Sequence, residues 1–256
     1  MTIGTFTLIK NEIDWIEDHI FNVLPHVDQM VFFDGESTDG TLGVIRSFHS
    51  PKITLVPNAD PKNLRDDYVK MFNRCLKTLN TDWGIFLHPD MWIENPWQIR
   101  IAASNTGMAQ TMAMESYAGE PGEDLLRFES GRCKSWKNIY RLKNPDLGAH
   151  YFGHYGAVNE DVYFSQITGD SHNYFGSDFS KYPYEVVESG IRAHHFSDVR
   201  TYERRLGRMF QSLLNQGYDR RSAQKIALDH PRVTLKSDGD FNLVPCRDPR
   251  RKTANV

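Results

Sequence analysis

Short apolar segments alternate with amphipathic and polar segments along the first hundred residues. Four of the apolar segments predict buried strands, over residues 3–9, 28–34, 53–56 and 83–87. Helical spacing of apolar residues predicts helices between them, over about residues 12–24, 41–48 and 63–79. Asn11 is expected to cap the first of these helices. The alternation of strands and helices predicts an α/β fold with a mainly parallel sheet flanked by helices.

The pattern loosens after residue 100. Weak alternation over residues 108–115 predicts one more strand, and residues 117–185 are rich in Gly, Tyr, Phe and His with little periodicity. We expect that second stretch to form loops and short strands around a further binding surface. Residues 199–228 predict a helix or a helix pair that is broken near Gly217, and the last ten residues predict a mobile basic tail.

The charge is unevenly distributed along the chain. The 256 residues contain 30 Lys and Arg against 33 Asp and Glu, a formal charge of −3. From Arg200 to the end there are 13 basic and 6 acidic residues, a net +7, whereas the preceding residues have a net charge of −10. The near-neutral total argues against a generally basic nucleic-acid binder. The basic C-terminal part keeps a polyanionic partner open.

Other sequence signals exclude several classes of protein. The three cysteines are far apart and form no CxxC pair, so neither a zinc ribbon nor a disulfide framework is predicted. There is no phosphate-binding GxxxxGK[ST] or GxGxxG loop, no GxSxG elbow and no HExxH pair. The N-terminus lacks the features of a signal peptide, and no apolar run approaches the ~20 residues that span a bilayer. We therefore expect a cytoplasmic protein without a transmembrane segment.

Polar residues follow two of the predicted strands where each strand ends. Asp34 ends the second strand, and His88 and Asp90 follow the fourth. Ligands of parallel sheets bind outside the carboxyl ends of the strands, so these residues are expected to converge on one crevice. Asp34 either accepts a hydrogen bond from a nucleotide base or closes an Asx turn. Asp90 either holds a divalent cation or belongs to a solvated turn.

Two further pairs carry candidate chemistry. His194 and His195 are adjacent, and because neighbouring residues of a strand point to opposite faces, only one of them is expected to be a ligand. Glu160 and Asp161 form an acidic pair that either deprotonates an acceptor hydroxyl or lies solvated in a loop.

Three segments together resemble the family 2-type glycosyltransferases of the GT-A fold. They are residues 8–12 with 15–17 (Leu-Ile-Lys-Asn-Glu and Trp-Ile-Glu), 33–41 (Phe-Asp-Gly-Glu-Ser-Thr-Asp-Gly-Thr) and 81–90 (Thr-Asp-Trp-Gly-Ile-Phe-Leu-His-Pro-Asp). The resemblance covers about residues 3–95 and is patchy beyond. It implies a GT-A-like nucleotide-binding sheet with a C-terminal helical extension.

The resemblance also implies roles for individual residues. Asp34 would contact the nucleotide base, and Asp90 would bind Mn²⁺ or Mg²⁺ on the donor diphosphate. His88 stands where the family has the first acid of its DxD-like motif. The residues expected to bind the nucleotide-sugar donor are Ile9, Asn11, Glu12, Asp34, Asp39, Arg65 and His88. His195 best matches a late metal-binding histidine, with His194 second, and Glu160 is the first choice for catalytic base, with Asp161 second.

The implied activity is transfer of a sugar, with inversion, from a UDP-sugar or similar donor to a hydroxyl acceptor. A saccharide, a lipid-linked glycan, a protein and a modified DNA base are all open as acceptors. Residues 1–100 would bind the donor, residues 101–198 would bind the acceptor and supply the catalytic group, and residues 199–256 would form helices and a basic tail. Two other classes are open: a nucleotidyltransferase acting on a sugar phosphate, and a non-catalytic carbohydrate-binding module.

Overall fold

The structure is a computed structural model of the 256-residue chain, and it describes residues 1–57, 78–104, 109–128, 135–141, 186–235 and 243–252. The chain divides into two compact units. The first contains Met1–Met112 and Ser135–Arg192, and the second contains Ala113–Lys134 and Ala193–Val256.

Strands and helices follow the predicted alternation over the first hundred residues. The strands are β1 (Ile3–Ile9), β2 (Gln29–Asp34), β3 (Ile53–Pro57), β4 (Trp83–Phe86), β5 (Met91–Ile93), β6 (Ala109–Gly119), β7 (Leu125–Phe128), β8 (Ser135–Arg141), β9 (Val186–Val199) and β10 (Leu243–Cys246). The helices are α1 (Ile16–Val23), α2 (Thr41–Ser47), α3 (Gln98–Ala102), α4 (Tyr202–Asn215), α5 (Arg220–Asp229) and α6 (Pro231–Thr234). Most of the helix predicted over residues 63–79 lies outside the described residues.

A parallel sheet forms the centre of the first unit. Its strands lie in the order β3, β2, β1, β4, and β8 pairs antiparallel with β4. The inner strands are near-continuous apolar runs because both faces of a parallel sheet are covered. Phe6, Phe32 and Phe33 are accordingly almost completely buried. The predicted mainly parallel sheet is confirmed for this unit.

Helix α1 begins later than the sequence predicts. It starts at Ile16 rather than near residue 12, and Trp15 occupies the N-cap without a side-chain hydrogen bond. The prediction that Asn11 caps this helix is wrong. Asn11 has a left-handed backbone with φ of 57°, and its side-chain oxygen accepts a hydrogen bond from the N–H of Thr38 instead. The side chain of Asn11 therefore binds the loop that follows β2 and not the N-terminus of α1.

The inner face of α1 carries two buried polar side chains. The Asn22 side-chain amide donates to the carbonyl oxygen of Ile93 at 3.0 Å, and its oxygen accepts from the N–H of Ile93 at 2.8 Å. Asn22 thereby pairs with β5 as a neighbouring strand would. His19 is fully buried, with Nδ1 3.4 Å from the carbonyl oxygen of Met91 and Nε2 3.3 Å from Thr7 Oγ1.

His19 is neutral at physiological pH. Burial lowers its pKa from 6.5 to about 4, although the Met91 carbonyl and the negative charge of Asp90 act in the opposite direction. Because a carbonyl oxygen only accepts, the ring proton lies on Nδ1, and Nε2 accepts from the hydroxyl of Thr7. A neutral, fully hydrogen-bonded imidazole is the form that a protein interior tolerates.

The second unit is antiparallel and helical. β7 pairs antiparallel with both β6 and β10. Helices α4 and α5 pack around Leu213, Ala223 and Ala227, and Gly217 between them has a left-handed φ of 93°. The predicted helix pair that breaks near Gly217 is confirmed.

The buried guanidinium of Arg205 ties the second unit together. It donates to the carbonyl oxygens of Gly119, Arg200 and Val233, and it forms an ion pair with Glu120 at 2.8 Å. Part of the predicted basic tail also has regular structure, because residues Pro249–Lys252 form a 3₁₀ turn. No helix within the described ranges is both long and apolar enough to cross a bilayer.

Replacing Asn22 with Leu should destabilise the protein. The change leaves the buried N–H and carbonyl of Ile93 without their partner, and we expect a loss of about 2–5 kcal/mol in the free energy of unfolding. Urea unfolding measures this loss. Glu17→Leu, at an exposed position of the same helix, is the control and should change stability by less than about 0.5 kcal/mol. Equal effects of the two substitutions would contradict the role given to Asn22.

His19 should make stability depend on pH. Its pKa is lower in the folded than in the unfolded state, so the unfolded state takes up the proton first as the pH falls. The stabilisation is complete above about pH 6.5 and is lost as the pH falls to about 4, and the total loss over this range is about 3 kcal/mol. His19→Gln should flatten the pH profile of unfolding free energy in this window. The exposed His49→Asn control should keep the wild-type slope, and a His19→Gln profile parallel to wild type would refute the assignment.

Candidate functional site

The carboxyl ends of β1 and β2 lie side by side and lead into two loops that bind each other. Ile9 is in register with Asp34, and its carbonyl oxygen accepts the N–H of Gly35 at 2.8 Å. We call residues 10–13 and 35–41 the exit loops. The polar side chains of the exit loops are used largely to satisfy backbone groups of the opposite loop.

Asp34 anchors the second exit loop. The residue is 7% exposed, and its carboxylate accepts hydrogen bonds from the N–H of Glu36 at 3.2 Å and of Ser37 at 3.1 Å. It therefore closes the turn, as one of the two alternatives for Asp34 predicts. A carboxylate has about four lone-pair positions, so two backbone bonds leave capacity for a ligand. Contact with a base stays a prediction.

Asn11 and Asp39 join the two exit loops. The N–H of Asn11 donates to Ser37 Oγ at 2.9 Å, and its side-chain oxygen accepts from Thr38 N–H at 2.7 Å. Asp39 accepts from the N–H of Ile13 at 3.1 Å.

Asp39 also binds Thr41 at the start of α2. Its carboxylate accepts from the N–H and the hydroxyl of Thr41, and Thr41 Oγ1 accepts in turn from the N–H of Glu12 at 2.9 Å. Burial opposes ionisation of Asp39, but these hydrogen bonds outweigh it, so its pKa lies below the usual value. Asp39 and the backbone of Glu12 thus hold the loops in shape.

The segment that follows β4 places two more predicted residues at the same edge of the sheet. His88 is half-buried, and its ring packs edge-on against Phe86 with centroids 4.8 Å apart. Asp90 is only 3% exposed and acts electrostatically on the neutral His19. Within the described residues, no group of three or more His, Cys, Asp and Glu side chains is arranged to hold a metal. The Asp90 carboxylate places a hard oxygen donor at this strand end.

The predicted histidine pair lies in the second unit, on β9. His194 is 5% exposed and His195 is half-buried, in agreement with the expectation that they face opposite ways. The Nδ1 atom of His194 lies 2.8 Å from the hydroxyl of Tyr117, and that hydroxyl lies 2.7 Å from a carboxylate oxygen of Glu115. Tyr117 also stacks on Phe196 at 5.3 Å. Which histidine binds a metal stays a prediction.

The chain of contacts around Tyr117 fixes the tautomer of His194. An ionised carboxylate only accepts hydrogen bonds, so the Tyr117 hydroxyl donates to Glu115. His194 Nδ1 must then carry a proton and donate to the Tyr117 oxygen. Burial and the bond to Glu115 raise the pKa of Tyr117, so the phenol keeps its proton. Metal-binding histidines are commonly oriented in the same way, by a hydrogen bond donated from the ring nitrogen that does not bind the metal.

The remaining predicted residues fall elsewhere. Arg65, Glu160 and Asp161 lie outside the described residues. Sequence reasoning missed His19, Tyr117 and Glu115. The position of His19 between Ile16 and Ile20 on the apolar face of a helix was an available signal, whereas nothing local connects Tyr117 with a histidine 77 residues away.

Comparisons with solved structures identify proteins whose fold is similar to that of this chain. No protein-family model and no curated protein matches the chain. The structure of GalNAc-T7 with UDP, GalNAc and Mn²⁺ matches 90% of this chain and 54% of that one, with a TM-score of 0.50 and 9% identity. Residues 1–349 of TarS from S. aureus match 89% of this chain and 69% of that one, with a TM-score of 0.46 and 16% identity.

A third solved structure matches over a shorter range. Glucosyl-3-phosphoglycerate synthase from Mycobacterium tuberculosis, in complex with Mn²⁺, UDP and glucosyl-3-phosphoglycerate, matches 47% of this chain at 22% identity, with a TM-score of 0.35. This chain covers 44% of that synthase, less than half of its length. The likeness to GalNAc-T7 over nine-tenths of the chain confirms the predicted GT-A-like α/β fold.

Replacing Tyr117 with Phe should change the tautomer of His194. Without the phenol oxygen, Nδ1 has no acceptor at 2.8 Å, and we expect a mixture of tautomers in place of the Nδ1–H form. Long-range ¹H–¹⁵N correlation spectra of the imidazole measure this directly. His194→Asn identifies the His194 signal by its loss, and the His195→Asn control should leave that signal unchanged. An unaltered His194 signal in the Phe variant would show that Tyr117 does not set the tautomer.

Proposed function

We propose that this chain is a glycosyltransferase that uses a divalent cation to move a sugar from a nucleotide-diphosphate donor to a hydroxyl acceptor. The observation that carries the proposal is the set of polar residues at the carboxyl ends of β1, β2 and β4, in a GT-A-like fold. Open α/β sheets bind their ligands at this edge. UDP is the proposed nucleotide, and the presence of UDP and Mn²⁺ in the GalNAc-T7 structure supports it.

The exit loops are proposed to bind the nucleoside. Asp34 retains lone pairs that can accept hydrogen bonds from a base, and its backbone bonds fix the position of the carboxylate. Gly35 is buried, and a Cβ atom there would lie 3.3 Å from the carbonyl oxygen of Ile9. The absence of a side chain at Gly35 keeps the turn close to β1. A rigid, hydrogen-bonded loop of this kind needs little ordering when the ligand binds.

Asp90 is proposed to hold the cation. Mg²⁺ and Mn²⁺ that are bound to phosphates need only one or two protein carboxylates, so a single buried aspartate fits this role. The neighbouring His19 is neutral and adds no competing positive charge. When bound, the cation would neutralise the departing diphosphate. His195, with His194 second, is the proposed further ligand.

The reaction is proposed to be a single displacement with inversion. The acceptor oxygen forms a bond to the anomeric carbon while the bond from that carbon to the diphosphate breaks and UDP leaves with the electron pair. Glu160, or Asp161 in its place, would take the proton of the acceptor hydroxyl. A saccharide, a lipid-linked glycan, a protein or a modified DNA base is the proposed range of acceptors.

Asp90→Asn should remove metal-dependent nucleotide binding. In the wild type, UDP with Mn²⁺ at about 100 times the dissociation constant should stabilise the protein by about 2.7 kcal/mol, which is several degrees in Tm. The variant should have an unchanged circular dichroism spectrum but no Mn²⁺-dependent shift, because the cation loses its anionic ligand.

Two further measurements make this test specific. The exposed Glu17→Gln variant is the control and should keep the full shift, because it removes the charge of a helix side chain and leaves the Asp90 carboxylate in place. UDP without Mn²⁺ should produce little stabilisation in either protein. A full Mn²⁺-dependent shift in Asp90→Asn would refute Asp90 as the ligand, and no shift in the wild type would refute the proposed donor.

A further inference from the structure

One exposed residue at the donor end of the sheet has a backbone conformation that disfavours its own side chain. Glu36, two residues after the end of β2, has a left-handed φ of 67°. Non-glycine residues seldom adopt this conformation, and the exceptions are mostly Asn and Asp. Glycine would adopt it without steric cost.

The surrounding loop imposes this conformation. The Asp34 carboxylate accepts from the N–H of Glu36 and also from that of the following Ser37. Ser37 is held in addition by the N–H of Asn11. The backbone of Glu36 is therefore fixed on both sides, and the direction in which its side chain leaves the loop is fixed with it.

The carboxylate of Glu36 is not used to hold the loop. Among the described residues, no hydrogen bond or ion pair involves it, in contrast to the carboxylates of Asp34 at the end of β2 and of Asp39 in the same loop. Residues with strained backbone conformations cluster at active sites and ligand-binding sites. The hydrogen bonds of Asp34 explain why the backbone is left-handed at residue 36. They do not explain why the residue there is a glutamate.

We infer that the Glu36 carboxylate is a specificity-determining contact of the donor, and that it accepts hydrogen bonds from the ribose hydroxyls or the base N–H groups of the nucleoside. This inference rests on the proposed function, which places a nucleotide at this strand end. A carboxylate accepts two such bonds at once, and each is stronger than a bond between neutral groups. His88, at the neighbouring strand end, offers an imidazole that is packed against Phe86 and does not supply this paired acceptor.

Substitutions of Glu36 separate strain from binding. Glu36→Gly removes both the strain and the carboxylate, so we expect Tm to rise by about 2–4 °C while the Kd for UDP with Mn²⁺ rises about tenfold. Glu36→Gln keeps the strain and the shape but loses the charge, so Tm should stay unchanged while Kd rises. Differential scanning fluorimetry and isothermal titration calorimetry measure the two quantities.

His49→Gly is a matched control. His49 is also exposed and left-handed, with φ of 45°, but it follows α2, which leads away from the β2 exit. The substitution should raise Tm in the same way and leave the Kd for UDP unchanged. An equal loss of affinity in His49→Gly and Glu36→Gly would overturn the inference.

The two sources of hydrogen-bond donors are separated with a modified nucleotide. Loss of affinity in Glu36→Gln for UDP, but not for 2′,3′-dideoxyuridine diphosphate, would identify the ribose hydroxyls, and loss for both would identify the base. If wild type binds UDP and the Glu36 variants bind it within twofold of wild type, the inference fails and the proposed function stands. If wild type does not bind UDP at all, both fail.

Discussion

Several backbone N–H groups that follow β1 and β2 lie beyond the hydrogen-bonded strand pairs. The carboxylates of Asp34 and Asp39 accept their hydrogen bonds instead. Asp34 and Asp39 accept from four such groups, those of Glu36, Ser37, Ile13 and Thr41. A buried N–H without an acceptor is costly, so a loop that loses one of these carboxylates would have to move. The shape of this end of the sheet therefore depends on these two carboxylates.

This constraint divides the acids at the strand ends into two kinds. Asp34 and Asp39 are engaged by backbone groups, and the lowered pKa of Asp39 reflects those bonds. The carboxylate of Glu36, by contrast, is exposed and takes part in no hydrogen bond or ion pair among the described residues. The proposed nucleoside site would use both kinds, because carboxylates that bind backbone groups shape the loops and an exposed carboxylate can bind the ligand.

The sequence predicts those features that depend on local pattern and fails where partners are remote. The strands of the first unit are apolar runs, which burial on both faces requires, so their positions agree with the structure. Asn11 before an apolar run is equally typical of a helix cap and of a loop anchor, and Thr38, 27 residues away, decides between them. The length of β9 was missed because charged residues and a left-handed Gly190 interrupt its apolar pattern.

The candidate site shows the same division between local and remote information. The positions of Asp34 and Asp90 at strand ends could be predicted because the strands themselves could. The contact between Tyr117 and His194 joins residues 77 positions apart, and no local sequence pattern predicts it. Nor does a sequence reveal left-handed backbone at a glutamate, because that conformation follows from hydrogen bonds made by its neighbours.

The basic C-terminal part is less available for a polyanion than its net charge suggests. Arg200 is 1% exposed, Arg205 is buried among carbonyl oxygens and Glu120, and Arg250 pairs with Asp248 at 2.7 Å while lying over Phe196. These cations hold the second unit together. Among the described residues from Arg200 onward, the exposed basic side chains are those of Arg208, Arg220, Arg221, Lys225 and Arg247.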